Sequence, residues 1–345
     1  MKLTVLCAGL RQPHAGWAAI DELAQLLARY FGAELLSPRP LAAGWAGRLL
    51  HRGGSRFAPV DTAGGDMLLV VARGPDDLRL IDAIPDARRR FGRIHAWVTD
   101  SYHWAGFGRI TSAYDALTVT AAEDVEPVAL RFGIPVHHVY QGADGLSWAP
   151  RREHPRDIDL IGFGRTPPSY HGHFVERFHR PESPHLYLHS PLGHLAGPGV
   201  HRERAMLFKL LQRTRIALAF HLFVEPQHDR PRSMMVTSRW LESLLSGCIV
   251  AGKRPVSRMA SEMLFWPQAT LELADDPVEA GEQLLQLFGR DDELRAQRRN
   301  NIRNTLLHHD WRDRMLQLCR LFDMPVPQSL RNDRERLHEL AATYV

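Results

Sequence analysis

Length and composition place this chain among globular proteins with two domains. Its 345 residues are long for one domain, and 44% hydrophobic with 24% charged residues exclude an intrinsically disordered chain. No apolar run approaches the roughly 20 residues of a membrane-spanning helix. The 43 lysines and arginines against 39 acidic residues leave a formal net charge of only +4.

Charge clusters and cysteines indicate neither a nucleic-acid surface nor an oxidising compartment. Residues 88–90 and 295–303 are rich in arginine, but aromatic residues are not interleaved with them as a nucleic-acid surface would require. The three cysteines are widely spaced and fit neither a metal site nor a disulfide framework, which predicts a reducing, cytoplasmic location. The apolar opening is followed at once by Arg11 and His14, so we predict a first strand there rather than a signal peptide.

The first 150 residues alternate between predicted strands and predicted helices. Strands are predicted at 3–8, 66–72, 93–100, 114–120 and 136–140, and helices at 17–31, 76–84 and 122–132. Residues 38–65, rich in proline, glycine and alanine, carry no clear pattern. This alternation is typical of a doubly wound α/β domain.

The second half restarts the same pattern after a polar, proline-flanked linker at 150–156. The predicted strands are 157–163, 185–189, 216–220, 248–251 and 270–273, and the predicted helices include 201–213, 277–288 and most of 291–322. We therefore predict two tandem Rossmann-like domains, 1–150 and 151–322. The remaining tail, 323–345, is expected to pack back on the first domain.

A short helix that leads into a buried strand is predicted within residues 236–252. Either Thr237 or Ser238 can cap the free N–H groups of the helix start. Gly247 suits the left-handed conformation in which many helices end. The apolar run that follows it is typical of a strand in a parallel sheet.

The first turns of this helix carry groups suited to a nucleotide. A helix N-terminus attracts anions, and Arg239 adds a cation that can grip phosphate oxygens in a bidentate manner. Glu242, about one turn on, can accept hydrogen bonds from the hydroxyls of a ribose. The stretch alone leaves open the alternative of a charged surface helix that ends at a glycine.

Five groups of residues follow one another in a recognisable series between about 110 and 320. They are Tyr114-Asp115-Ala116-Leu117-Thr118-Val119, residues 133–136 with 141–144, residues 157–164, Arg239-Trp240-Leu241-Glu242 with Gly247, and 301–314 with His309-Asp310-Trp311-Arg312. The series resembles GT-B glycosyltransferases, in particular the spore-maturation-protein-like group related to glycosyltransferase family 4. The resemblance implies two Rossmann-like domains that face a central cleft.

The resemblance also implies roles for individual residues. The C-terminal domain would hold a nucleotide-sugar donor, and the N-terminal domain would hold the acceptor. Glu242 would bind the donor ribose, while Arg239 and the helix start at Thr237 and Ser238 would neutralise the departing diphosphate. The acceptor is left open and is a glycan, a lipid, a protein, a nucleobase or a small metabolite.

Residues 162–165 complete the donor site that the resemblance implies. Gly162 and Gly164 would let the backbone approach the donor, and Arg165 would add a second phosphate contact. No metal or other cofactor is expected, because arginines and a helix dipole would do the work of a cation. The alternative of a zinc site rests on four histidines, His171, His173, His189 and His194, among 19 scattered over the chain.

One position departs from the resemblance. Retaining members of the related family often carry a glutamate eight residues before the ribose-binding one, and Met234 occupies that position here. Glu225 lies further upstream and is a candidate substitute. The stereochemical outcome of the reaction therefore stays open, as does the question of whether the protein is catalytic.

An inverting reaction would need an acceptor-side base. Asp100 is the first candidate, because it follows a predicted strand at the edge where open α/β sheets bind ligands. His103 is the second candidate and His14, on the first loop, is the third. The alternative for Asp100 is a turn or helix cap, and for the two histidines it is a surface or packing role.

Three further hypotheses compete with a glycosyltransferase. A GT-B epimerase needs no separate acceptor, and a phosphorylase of this fold carries a lysine-bound cofactor for which the three lysines offer no motif. A non-catalytic nucleotide-sugar-binding or partner protein would explain Met234. Trp45, Trp104 and Trp148 are candidates for stacking on an acceptor, with core packing as the alternative.

Overall fold

A computed structural model describes residues 1–41, 57–101, 106–190, 196–197, 199–224 and 234–345. The chain divides into two compact units, each built around its own parallel sheet with helices, as predicted for two Rossmann-like domains. The first unit comprises Met1–Tyr140, Ala196–Pro198 and Arg314–Arg331. The second comprises Gln141–Leu195, Gly199–Asp313 and Asn332–Val345.

The first unit contains a six-stranded sheet in the order β2-β1-β3-β4-β5-β6, with every pairing parallel. Its strands are β1 Leu3–Cys7, β2 Glu34–Leu36, β3 Gly65–Ala72, β4 Phe91–Val98, β5 Ala116–Val119 and β6 Val136–His138. The helices up to residue 140 are α1 Ala18–Phe31, the single turn α2 Ala87–Arg90 and α3 Val125–Phe132, with 3₁₀ segments at Ala15–Trp17, Pro75–Ala83, Arg109–Ala113 and Ala122–Asp124.

The core of the first unit explains why its apolar runs form strands. Residues 67–72 of β3 are all buried, as expected for a central strand covered on both faces. From α1, the stripe of Ile20, Leu23 and Leu27 packs inward at helical spacing. The predicted short helix at 76–84 is a 3₁₀ helix, and the strand β2 was missed because it is only three residues long.

The second unit contains a five-stranded parallel sheet in the order β11-β10-β9-β7-β8. Its strands are β7 Ile158–Phe163, β8 Tyr187–Ser190, β9 Thr214–Phe220, β10 Ile249–Lys253 and β11 Leu271–Glu272. The helices from residue 141 onward are α4 Gly145–Trp148, α5 Pro168–Phe178, α6 Val200–Gln212, α7 Ser238–Leu245, α8 Arg258–Met263, α9 Pro277–Phe288, α10 Asp291–His308, α11 Trp311–Leu321 and α12 Gln328–Ala342.

The units divide between Tyr140 and Gln141, earlier than the predicted boundary at residue 150. The predicted linker 150–156 belongs to the second unit because its backbone and side chains bond there. Arg156 donates to the carbonyl oxygens of Thr214 at 2.5 Å and Ser246 at 2.8 Å. The C-terminal segment is shared, since 314–331 belong to the first unit and 332–345 to the second.

The strongly helical stretch predicted at 291–322 is two helices separated at His309 and Asp310. The ring Nε2 of His309 lies 2.7 Å from the carbonyl oxygen of Met263, which fixes His309 outside helical geometry. The Asp310 side chain accepts a hydrogen bond from the N–H of Arg312 at 2.8 Å and so caps α11. The helical pattern of the sequence does not predict such a break, because the segments on both sides of it form helices.

A buried asparagine ties α10 to the sheet of the second unit. The Asn301 amide nitrogen donates to the carbonyl oxygen of Cys248 at 3.0 Å, and its Oδ1 accepts from the indole N–H of Trp266 at 2.9 Å. Asn301 is fully buried, so these groups have no water to replace the amide.

We expect Asn301→Ala to lower the free energy of unfolding by about 2–4 kcal/mol, because a buried donor and a buried acceptor lose their partner. The matched control is Asn304→Ala on the same helix, whose amide bonds Asn300 within α10. The control should lose no more than about 1 kcal/mol. Urea unfolding followed by circular dichroism measures the free energy of unfolding of both variants. Equal decreases would show that the hydrogen bonds of Asn301 stabilise the fold no more than those of Asn304 do.

Across the described residues, no helix combines the length and apolar character that crossing a membrane requires.

Candidate functional site

The carboxyl edge of the second sheet carries most of the predicted donor-site residues. Residues 164–167 follow β7, and 254–257 follow β10, so both loops leave the sheet at the same edge. Because α7 runs into β10 through a short turn, its C-terminus meets the opposite edge and its N-terminus points toward the carboxyl edge. Open α/β sheets bind ligands at that edge.

Among the described residues, the start of α7 has no side-chain cap. Thr237 is the N-cap residue, with φ −89° and ψ 172°, and its side chain makes no capping hydrogen bond. The prediction that Thr237 or Ser238 would cap the helix is therefore wrong for the side chains, although the helix begins at Ser238 as expected. Gly247, with φ +75°, stands just after the helix end, as predicted. An uncapped start leaves backbone N–H donors for a ligand.

Arg239 reaches from the first turn of α7 to the loop after β7. Its Nη1 donates to the carbonyl oxygen of Arg165 at 2.6 Å. Gly164 makes this approach possible, because it adopts φ +72° and a Cβ there would lie 2.6 Å from Nη2 of Arg239. The structure thus brings Gly164, Arg165 and Arg239 together. The space beside Gly164 is occupied by the guanidinium.

Gly162 has a different neighbourhood from Gly164. It is buried in β7, and a Cβ there would lie 3.0 Å from Oγ1 of Thr166 and 3.1 Å from the hydroxyl of Tyr187. Its absent side chain makes room for these two polar groups at the edge of the sheet.

The charge on Arg239 is held near a second cation. Burial and the neighbouring Arg165 lower the pKa of the Arg239 guanidinium to about 10, while Glu242 opposes that shift. Arg239 is only partly covered in the folded chain, and at this pKa it stays protonated at neutral pH. The charge of Arg165 thus opposes that of Arg239, and a bound anion would relieve this repulsion.

Glu242 is held by a partner that the sequence analysis missed. Arg204 on α6 donates from Nη1 to Oε1 of Glu242 at 2.9 Å, and the two residues are 6% and 4% exposed. The helical spacing of Arg204 could have revealed this partner, since it places Arg204 on the buried face of α6 with Val200, Leu207 and Phe208. An arginine on an apolar face indicates a buried acidic partner. The pair fixes one carboxylate oxygen of Glu242.

Trp148 takes part in the packing around this ion pair. Its ring is stacked on Phe208, with centroids 4.5 Å apart and planes 2° from parallel. The Arg204 guanidinium lies 5.1 Å from the Phe208 ring centroid, a cation–π distance. Of the three tryptophans predicted as acceptor-stacking candidates, Trp148 thus packs against α6, and Trp45 and Trp104 lie outside the described residues.

A cavity of about 590 Å³ opens beside the loop that follows β10. Its walls include Arg254, Ser257 and Glu272, from the loop after β10 and from β11. The hydroxyl of Ser257 donates to the carbonyl oxygen of Met234 at 3.1 Å, which joins this wall to the segment before α7. Glu225, the candidate substitute for Met234, lies outside the described residues.

The histidines considered for zinc divide into separate environments. The rings of His171 and His189 lie 3.9 Å apart, and Nδ1 of His171 lies 3.0 Å from the hydroxyl of Tyr187. Burial lowers the pKa of both histidines. His173 contacts Gly281 instead, and His194 is outside the described part of the chain. Within the described ranges, no three His, Cys, Asp or Glu side chains are grouped to hold a metal ion.

Two of the three candidate bases lie in the described part of the first unit. Asp100 follows β4 and is half-buried, and its N–H donates to the carbonyl oxygen of Arg73 at 2.8 Å. His14 follows β1 and is half-buried, and its Nδ1 accepts the N–H of Gly16 at 3.1 Å, which caps a 3₁₀ turn. Both stand at the carboxyl edge of their sheet. His103 lies outside the described residues.

Beneath these loops lies an ion pair that the sequence analysis also missed. Asp21 on α1 is 2% exposed, and Arg73, directly after β3, donates to both of its carboxylate oxygens at 2.9–3.0 Å. Arg73 also donates to the carbonyl oxygen of Gln12 at 2.8 Å, which fixes the loop after β1. This pair positions the loop that carries His14.

Comparison with known proteins relates the second unit to one family. Residues 175–320, fewer than half of the chain, match the family described as glycosyl transferase-like. Among curated proteins, none matches this sequence.

Solved structures are similar in fold at low sequence identity. An α-glucosyltransferase solved with UDP and a mismatch-containing 13-mer DNA is 13% identical, with a TM-score of 0.51 over 90% of this chain and 96% of that chain. TarM from S. aureus, solved as a mutant with fondaparinux, α-GlcNAc-glycerol and UDP, is 9% identical, with a TM-score of 0.47 over 74% of this chain. The pneumococcal O-GlcNAc transferase GtfA, solved with UDP and GlcNAc, is 10% identical, with a TM-score of 0.45 over 75% of this chain. This chain spans only 55% and 56% of the last two proteins.

Proposed function

We propose that this chain is a glycosyltransferase that transfers a sugar from a uridine diphosphate sugar to an acceptor. The family match of residues 175–320 and the two parallel sheets support the proposal. The uridine nucleotide is proposed because the α-glucosyltransferase of similar fold was solved with UDP. The proposal is for a metal-independent reaction, in which the chain's own cations take the charge of the leaving group.

The observation that carries the proposal is the convergence of Arg239, Arg165 and an uncapped helix start. The Arg239 guanidinium is fixed by its 2.6 Å hydrogen bond to the backbone of Arg165, so it needs no reorientation when a ligand arrives. The N-terminus of α7 adds backbone donors and the positive end of a helix dipole. Together they form a cradle for a diphosphate.

The chemistry follows from where negative charge develops. When the bond between the sugar C1 and the diphosphate oxygen breaks, the leaving nucleoside diphosphate gains negative charge. Arg239 and Arg165 stabilise that charge more strongly in the transition state than in the ground state, which is the condition for catalysis. In this role Arg239 is the principal catalytic cation, and Arg165 assists it.

Glu242 acts on the ribose in the proposed arrangement. Its carboxylate accepts hydrogen bonds from the ribose hydroxyls, and Arg204 holds the carboxylate in place from the buried side. Arg204 is a positioning residue, since it acts through Glu242. Its pairing also lowers the cost of keeping a carboxylate at 4% exposure.

The acceptor hydroxyl needs a base if the reaction inverts the sugar C1. We propose Asp100 for this role, with His103 and His14 as the further candidates. Asp100 stands at the ligand-binding edge of the first sheet and is partly exposed. His14 already accepts the N–H of Gly16 through Nδ1 and so caps a 3₁₀ turn.

Release of nucleoside diphosphate tests the proposal. The purified chain is incubated with UDP-glucose, UDP-GlcNAc, GDP-glucose and ADP-glucose without added acceptor, and the free diphosphate is measured. We expect slow release of UDP from at least one uridine sugar, because water can replace the acceptor. Binding of a UDP sugar without any release, even with added glycan, lipid and protein acceptors, would favour the non-catalytic hypothesis. An isomerised sugar nucleotide would identify an epimerase.

A further inference from the structure

A second cavity of about 580 Å³ lies within the second unit at the amino edge of the sheet. Its walls are residues 150–156, which precede β7, together with Gln212 before β9, one face of α10 and the end of α12. The donor site proposed above lies at the carboxyl ends of the same strands. Since β7 has six residues, its two ends are about 17 Å apart.

The walls of this cavity are strongly cationic. Six arginines line it, and the lining carboxylates are Glu153 and Asp291. The arginines are Arg151, Arg152, Arg156, Arg295, Arg298 and Arg299. Like charges concentrated in one concavity repel each other and raise the local positive potential. An arrangement of this kind is stabilised by a bound anion.

Ion pairs neutralise part of this charge, since Arg295, Arg298 and Arg299 pair with Asp292, Asp291 and Glu153. Arg156 donates to the backbone carbonyls of Leu211, Thr214 and Ser246, which orient its guanidinium without cancelling its charge. Arg151 likewise donates to a backbone carbonyl. Backbone carbonyl oxygens therefore hold the guanidinium groups of Arg151 and Arg156 in place without neutralising them.

Arg298, in the same wall, has one N–H group for which no acceptor is present among the described residues. The residue is 7% exposed and pairs with Asp291, yet its Nε–H has no acceptor among the described residues. A buried donor without an acceptor is costly, and native structures keep few of them. This unmatched donor is a second and independent indication that the wall is short of negative groups.

We infer that this cavity binds a compact multivalent anion, such as a small metabolite with a diphosphate or several phosphate groups, at a site separate from the donor site. The concave shape and the limited volume select a small ligand rather than a nucleic-acid strand. Arginine is suited to this ligand because its planar donors match phosphate oxygens in pairs. The inference uses no residue of the proposed donor site and does not depend on the proposed function.

Inorganic pyrophosphate titrated calorimetrically into four proteins tests the inference. They are the wild type, the double variant Arg152→Ala with Arg295→Ala, the control Arg180→Ala with Arg336→Ala, and Arg239→Ala. Arg152 and Arg295 are exposed, so their loss should leave the fold intact, and the control removes the same charge from surface sites elsewhere. Melting temperatures verify that all four proteins are folded.

Beside any binding at the proposed donor site, which Arg239→Ala would weaken, we expect a binding event that is weakened about tenfold or more in the cavity variant and retained in the control and in Arg239→Ala. That event should also weaken with added salt, since exposed charges are screened. If the wild type binds no pyrophosphate, the inference is wrong. It is equally wrong if Arg239→Ala abolishes all binding while the cavity variant binds as the wild type does, because the ligand would then occupy the donor site.

Discussion

Replacing Arg312 by methionine should lower the free energy of unfolding by about 3–5 kcal/mol, the cost of leaving buried charge unpaired. Arg312 is 1% exposed and donates from Nη1 to Oδ1 of Asp144 at 2.9 Å and to both oxygens of Asp310 at 3.0 and 3.1 Å. Methionine fills a similar volume without a donor. The two carboxylates would then face each other in a buried site with no cation between them.

The decrease in the free energy of unfolding caused by Arg312→Met should depend on pH. Burial raises the pKa of Asp310 to about 6, and Arg312 opposes that rise. A raised pKa means that the folded state holds its proton more tightly than the unfolded state, so this carboxyl group favours folding most at low pH and progressively less as pH rises toward 6. Without Arg312 the pKa rises further. The variant should therefore be closer to wild-type stability at pH 5 than at pH 8.

Urea unfolding of both proteins at pH 5 and pH 8 measures this effect. The control is Arg336→Met, whose exposed pair with Asp333 should contribute less than about 1 kcal/mol. A loss below about 1 kcal/mol for Arg312→Met at pH 8 would show that the buried pair is not needed for stability. A larger loss at pH 5 than at pH 8 would contradict the sign derived for Asp310.

Replacing Arg239 by alanine should slow UDP release from the preferred UDP sugar by about 10²–10³-fold, the usual effect of removing one preorganised donor to a developing charge. The guanidinium is fixed by the carbonyl oxygen of Arg165 and lies against Gly164. Its removal takes both the charge and the oriented donors. The rate of UDP release by Arg239→Lys should lie between the rates of the wild type and of Arg239→Ala, because lysine keeps the charge and loses the planar geometry.

Initial rates of UDP release under saturating donor provide the measurement. The control is Arg180→Ala, which removes an exposed arginine of the same unit and should leave the rate unchanged. If Arg239→Ala and Arg180→Ala both release UDP at the wild-type rate, Arg239 does not contact the leaving group. Circular dichroism of each variant verifies that a lost rate is not lost folding.

Local sequence patterns predicted the parts of the fold that depend on neighbouring residues. The helix 277–288 was predicted with the bounds that the structure gives it, and α7 with Gly247 and β10 was confirmed in order. These elements combine a helical or strand period with a clear start or end signal. Such signals act within a few residues and so can be read from the sequence.

Contacts between distant residues were not predictable in this way. Arg204 pairs with Glu242 across 38 positions, and Arg73 pairs with Asp21 across 52. The local periodicity of apolar residues does not identify an ion-pair partner so far away in the sequence. The break between α10 and α11 was missed for the same reason, since it depends on the bond of His309 to Met263. The tertiary fold supplies these partners, and they hold the site residues in place.

Calorimetric titration of UDP into the wild type and Glu242→Gln tests the central claim, that the start of α7 and Glu242 bind the donor nucleotide. Glutamine keeps the length of the side chain and removes its charge, and the titration is run at a temperature where both proteins are folded by circular dichroism. We expect the wild type to bind UDP and the variant to bind it about tenfold more weakly or worse. Equal binding by both proteins, or binding by neither, would contradict the account.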